Sequence, residues 1–327
     1  MSKAIRFILT LGIISMALLS APAMAQQKSF SLNHTMGVNT YPDQAVKWFA
    51  TQMEQRTKGG VKVKVFSAGE LGQEVEQYDA LNLGTLESAL MGAQLIGAVC
   101  PEYGILDLPY LWRDQEHVRK VWAGPIGKEM TQTVLQRKGI RILAAMNRGP
   151  RNLTTKNKIV KVPADLKGLK IRTIQNPVHI EAWKTLGANP VPMAFGEVFT
   201  ALQQGTIDGQ ENPYEMIYSN SLFEVQKYLI LTRHVRALIW FGVSERFWKT
   251  LSPEQQKIFS ETAIEAAAMN DKLLLAGDQD MEKKLQQKGM TLITPDLAKF
   301  TEGVKSVPEK FKNVWKAGLF EKIVGTK

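Results

Sequence analysis

The chain has one cysteine in 327 residues, Cys100, so no disulfide can form within it. It lies in the apolar run Ile96-Gly97-Ala98-Val99-Cys100-Pro101 with no histidine beside it, which reads as a small buried hydrophobe rather than a nucleophile. Histidine is nearly as scarce: His34, His117, His179 and His234 stand apart, without the spacing of metal ligands. No phosphate-binding loop, no dinucleotide glycine fingerprint after a strand and no Gly-x-Ser-x-Gly elbow occurs. These absences lead us to expect no metal, no cofactor and no catalysis. The formal charge is +10, yet there is no run of five or six like charges and no interleaved aromatic motif. The lysines are scattered as on a solvated surface, which speaks against nucleic acid and helps concentrate anionic solutes.

Long apolar runs are missing too, except at the start. Lys3 and Arg6 precede an apolar stretch from Phe7 to Leu19, and Ala23-Met24-Ala25 supplies a small-residue cleavage site. A basic segment, a short apolar segment and such a site make a secretory signal peptide over residues 1–25. The stretch is short for a span, which takes about 20 apolar residues. Cleavage leaves 302 residues and a charge of +8, enough chain for two domains at about 150 residues each.

What is present has α/β rhythm. Phe30-Ser31-Leu32-Asn33-His34 alternates as a short strand, Ala45, Trp48, Phe49 and Met53 recur near helical spacing, and Gly59-Gly60 ends that helix. Val61-Lys62-Val63-Lys64-Val65-Phe66 then alternates strictly. This β-α-β order predicts a parallel sheet flanked by helices. The chain also echoes itself: Ala80-Leu81-Asn82-Leu83-Gly84-Thr85-Leu86-Glu87 resembles Ala201-Leu202-Gln203-Gln204-Gly205-Thr206-Ile207-Asp208. Each reads as a helix end, a glycine cap and entry to a strand, as two similarly built lobes would give. Ser252-Pro253-Glu254-Gln255 opens a helix with a capping box. Helical composition continues to Gly289, roughly 54 Å at about 1.5 Å per residue. That exceeds one lobe and predicts a brace across both, with Gly277 as a place for a kink.

Candidate ligand chemistry gathers between Arg148 and Asn220. In Leu169-Lys170-Ile171-Arg172-Thr173, Leu169 and Ile171 share one strand face and Lys170 and Arg172 the other. Arg172 thus stands at a strand's C-terminal end, where crevices of open α/β sheets lie. Its planar guanidinium suits a carboxylate, donating two parallel hydrogen bonds. Spacing alone leaves Arg151 and Arg172 equally readable as surface charges. Trp183, Trp240 and Trp248 read as core.

Several segments in fixed order resemble the DctP-type solute-binding proteins of the tripartite ATP-independent periplasmic (TRAP) transporters. They are Gly149 to Thr155, Asp165 to Thr173, Leu186 to Met193, Phe195-Gly196-Glu197-Val198-Phe199, Asp208-Gly209-Gln210-Glu211-Asn212-Pro213 and Phe223 to Tyr228. The resemblance implies a two-lobed α/β periplasmic-binding-protein fold with the ligand cleft between the lobes. It implies Arg172 as the carboxylate-binding arginine, Arg151 as a second, Asn212 as a ligand-holding amide and Phe195 as an aromatic cleft wall. From the other lobe, the end of the first strand at His34 and Thr35, with Asn39, is expected to face the same cleft. The lobes are expected at 26–148 plus 238–277 and at 149–237 plus 278–327. The implied function is capture of a small organic acid in the periplasm by hinge closure, as a monomer, with delivery to a TRAP membrane permease. The polar residues at 34, 35 and 39 favour a sugar acid, a uronate or aldonate, over a four-carbon dicarboxylate or other organic acid. A secreted enzyme acting on such an acid is the alternative.

Overall fold

Residues 27–327 are described by a computed structural model, and the expected signal peptide lies outside them. Eleven strands are found among these residues: β1 (Lys28–His34), β2 (Val61–Phe66), β3 (Ser88–Gly92), β4 (Ile140–Pro150), β5 (Asn152–Thr155), β6 (Lys170–Thr173), β7 (Asn189–Pro192), β8 (Gly209–Asn212), β9 (Tyr228–Ile230), β10 (Arg236–Ser244) and β11 (Thr291–Ile293). They form two sheets, ordered β2-β1-β3-β10-β4 and β11-β9-β5-β8-β6-β7, one per lobe. The β-α-β opening is as expected: β1, the helix Tyr41–Arg56, then β2 paired parallel to β1 from Lys28↔Val61 to Asn33↔Phe66.

The sequence echo marks equivalent corners of the two lobes. Gly84 and Gly205 both adopt left-handed backbone, at φ 78° and 73°. Thr85 N donates to Ala80 O and Thr206 N to Ala201 O, each at 3.0 Å. Each threonine hydroxyl bonds that same carbonyl. The chain then enters an interior strand, β3 in one sheet and β8 in the other. A residue with a side chain would be strained at either glycine.

Two strands cross between the sheets. β4 runs into β5 through Arg151 alone, and β9 returns to β10 through the segment from Leu231 to Val235. Arg151 N donates to Val235 O at 2.9 Å, tying the crossings together. The helix Pro253–Gln287 spans both lobes; its 35 residues make about 52 Å. Ser252 and Gln255 complete the capping box at its start. Its first half buries Phe259, Ala263, Ala266 and Ala267 in the core of Phe30, Phe49 and Phe241. The Phe259 ring lies 4.9 Å from Phe49, and burying a phenyl group contributes about 1.5–3 kcal/mol. Its last turns carry Met281 and Leu285 into the other core, with Val198, Leu202 and Leu229. The helix is unbroken through Gly277, where a kink was expected. The glycine admits Tyr41, since a Cβ there would lie 1.8 Å from Tyr41 Oη.

The lobes meet at further points. Asn176 caps the helix Pro177–Thr185 through its Oδ1, while its Nδ2 donates to Gln94 O at 2.5 Å and Asp107 Oδ2 at 2.7 Å. Tyr41 N donates to Glu215 Oε1 at 2.5 Å, and Gly196 N to Gln73 Oε1 at 3.3 Å. The chain's end returns to the first lobe: Arg113 donates to Val324 O at 2.9 Å, and Lys316 N to Glu102 O at 2.9 Å. Cys100, Trp183, Trp240 and Trp248 are all buried, as expected.

Candidate functional site

The candidate side chains cluster near strand ends. Lys170 and Arg172 share a face of β6, but Lys170 at the strand's start is exposed while Ile171, Arg172 and Thr173 further along are buried, so position along the strand leaves one basic residue in water and the other inside. Arg172 Nε and Nη2 donate to the Met193 carbonyl just beyond β7, at 3.2 and 2.8 Å. Its guanidinium carbon lies 5.8 Å from the Phe195 ring centroid. Arg172 makes no ion pair among the described residues, although it is only 3% exposed. Burial pulls its guanidinium down to about 10, opposed by the field of Glu211. It stays a cation at neutral pH, aimed into the cleft and lacking an anion.

Arg151, between β4 and β5, has a different setting. It forms a two-pronged ion pair with Glu211 of β8, and its Nη2 also donates to the Glu211 carbonyl at 2.5 Å. His234 Nε2 lies 3.1 Å from the same carboxylate. Burial alone would raise the Glu211 carboxyl, but the Arg151 charge and the His234 hydrogen bond outweigh it and hold it well below the usual range. Only Arg151 Nη1 is left without a partner, so most of this cation is neutralised internally. Asn212 ends β8, which lies between β5, just after Arg151, and β6, which carries Arg172. Its Nδ2 donates to Gln210 Oε1 at 2.6 Å.

Of the first-lobe candidates, Thr35 joins the cleft. It lines a cavity of about 110 Å³ with Gln73, Phe195 and Asn220. His34 faces its own lobe: Nε2 lies 3.2 Å from Asp43 Oδ1, and both side chains are fully buried. Burial would raise the Asp43 carboxyl, but hydrogen bonds from His34, Lys47 and Ser67 and from the Asn39 backbone bring it well below the usual range. Asn39 is exposed in a left-handed turn at φ 65°, and its N–H caps Asp43 at 2.7 Å. Its side chain has no hydrogen bond among the described residues and lines neither cavity beside Phe195.

Two residues at the site had no role assigned from sequence. Glu74 opens the helix Glu74–Leu83 and lines a cavity of about 20 Å³ with Arg172, Met193 and Phe195. Arg148, near the end of β4, donates to Glu74 Oε1 at 3.1 Å, and Gln94 Nε2 donates to Glu74 Oε2 at 3.1 Å. Arg148 opens the stretch to Asn220 in which candidate ligand chemistry gathers, but nothing local distinguishes it from a surface cation. Glu74 carries only helix-start chemistry, and its pairing spans 74 positions. Among the described residues, no group of three His, Cys, Asp or Glu could hold a metal ion.

The chain is similar to known solute-binding proteins. The family model described as bacterial extracellular solute-binding protein, family 7, matches residues 32–313. A solute-binding protein of Verminephrobacter eiseniae is 39% identical over 300 residues, covering 91% of this chain and 89% of that protein. The 2,3-diketo-L-gulonate-binding periplasmic protein YiaO of Escherichia coli is 37% identical over 250 residues, 76% of each chain. A crystal structure of a TRAP periplasmic solute-binding protein from Roseobacter denitrificans with bound L-galactonate superposes with a TM-score of 0.86 at 34% identity, covering 91% of this chain and 99% of that one.

Proposed function

The chain belongs to the family-7 (DctP) bacterial extracellular solute-binding proteins, the receptors of TRAP transporters, and on that premise we propose that it captures a sugar acid, an aldonate or uronate, in the periplasm. The observation that carries this reading is Arg172, a buried cation at a strand end whose hydrogen bonds go only to a backbone carbonyl. A ligand carboxylate would supply the missing charge, with the Phe195 ring against an apolar edge. Thr35, Asn212 and the free Nη1 of Arg151 would serve the hydroxyls. The E. coli relative is named for a keto sugar acid and the R. denitrificans structure holds an aldonate, which supports the class.

The two moving bodies are 26–148 plus 238–277 and 149–237 plus 278–327. Their hinge is the pair of crossing strands and the long helix. Closure removes water and strengthens the arginine–carboxylate pair. A monomer, freed by cleavage after Ala25, presents the closed form to a membrane permease. Family members bind their substrates rather than transform them, and none of the roles above is catalytic. Titration calorimetry of the mature protein against aldonates, uronates and four-carbon dicarboxylates tests the reading. Binding of a sugar acid, lost in Arg172→Ala, is expected. Binding that survives this substitution would overturn the site, and binding of dicarboxylates alone would overturn the substrate class.

A further inference from the structure

The charges at the cleft sort into a ledger that fixes the charge of its occupant. Three arginines, Arg148, Arg151 and Arg172, influence one another across the buried region, together with Glu74 and Glu211. Glu211 is bound by Arg151 on both oxygens. Glu74 takes Arg148, and is further held by Gln94 and by its place in the first turn of a helix, where a carboxylate is favoured by the helix dipole. One positive charge remains, on Arg172.

The cavity beside Arg172 says where a second ligand charge would fall. Its charged lining residues are Arg172 and Glu74 alone; the others are Gln73, Gln175 and apolar or backbone surfaces such as Leu95, Met193 and Phe195. A ligand whose carboxylate pairs with Arg172 meets a carboxylate, not a cation, across the same space. A hydroxyl there donates a hydrogen bond to Glu74, whereas a second carboxylate has no proton to give and faces a like charge in a poorly hydrated site. We propose that Glu74 is a specificity-determining residue that makes this receptor select acids with a single negative charge and reject diacids. The proposal rests on the sugar-acid reading above and sharpens it.

Arg148 supplies the complementary expectation. With Glu74 neutralised, Arg148 becomes a second uncompensated cation beside the cavity, and the site should then accept an aldarate.

The test is titration calorimetry of the mature protein and its Glu74→Gln and Glu74→Asp variants. The probes are gluconate, galactonate and glucuronate against glucarate and galactarate, which differ from them by a terminal carboxylate. Like charges facing each other in a desolvated site should give the wild type a preference of about tenfold or more for the monoacid. Glu74→Gln should bring the two classes within about threefold, chiefly by a gain for the diacid through the freed Arg148. Glu74→Asp, which keeps the charge, should keep the preference. A wild type that binds gluconate and glucarate equally would overturn the inference while leaving the sugar-acid reading standing. So would a Glu74→Gln variant, folded by circular dichroism, whose preference is unchanged. Failure of all five acids to bind the wild type would overturn both.

Discussion

Replacing Arg172 with methionine should make the protein more stable and functionally empty. In the folded chain its guanidinium is buried, and its proton affinity falls from an ordinary 12.5 to about 10. At about 1.4 kcal/mol per unit, holding this charge out of water costs the fold on the order of 3 kcal/mol. Methionine removes that cost and keeps most of the apolar stem. It also deprives the Met193 carbonyl of two donors, a loss of about 1–2 kcal/mol. The net expectation is a ligand-free protein stabilised by about 1–2 kcal/mol, a rise in melting temperature of about 2–4 °C per kcal/mol. Ligand affinity should fall by about 2–5 kcal/mol, the cost of truncating one partner of a buried charge pair. Thermal unfolding by circular dichroism and calorimetric titration of the same samples measure both. A lower melting temperature would mean that Arg172 is satisfied by groups within the chain, and the reasoning that it awaits an anion would fail.

Breaking the other charge pair should act in the opposite direction. Glu211→Gln leaves Arg151 buried without its carboxylate and should cost about 3–5 kcal/mol in urea unfolding; a cost below about 1 kcal/mol would show the pair to be dispensable. Glu215 joins the lobes through the Tyr41 N–H, and burial raises its carboxyl from the ordinary 4.5 to about 7. The closed form therefore holds the extra proton. Its advantage over the opened form is full below pH 4.5, declines as pH rises to 7 and is flat beyond. Sugar-acid binding should be tighter at pH 5.5 than at pH 7.5 and lose that dependence in Glu215→Gln; a parallel pH profile in the variant would refute the assignment. Cys100 is fully buried, and burial raises its thiol to about 11. A thiol reagent at pH 7 should label it only on unfolding, and labelling of the native protein within minutes would contradict this.

Much of the fold was legible in the sequence because local chemistry wrote it there. Strict alternation gave β2, the capping box gave the start of the long helix, and paired helix-end glycines gave the matching corners of the two lobes. Arg172 was legible too, since it stands toward the C-terminal end of β6, where crevices of open α/β sheets lie. Gly277 was legible as exceptional, but the tertiary reason for a glycine there was not. In isolation a mid-helix glycine suggests a weak point, whereas here the missing side chain makes room for Tyr41, which comes from the far end of the chain.

Features that depend on neighbours within a turn or a strand can be read from the residues directly: the elements, their caps, the family motifs and the arginine at a strand end. Which charges are cancelled emerges only once the chain is folded. Arg148 and Arg172 look alike as letters, yet one meets Glu74 and the other meets a backbone carbonyl. His34 was drawn toward the cleft by its place at the end of β1, but its ring turns to Asp43 once the helix Tyr41–Arg56 packs beside it. Charge pairing in a buried site is settled by distances of a few ångströms between residues far apart in the chain, because Coulomb energy in a low dielectric falls with separation in space and takes no account of separation in sequence.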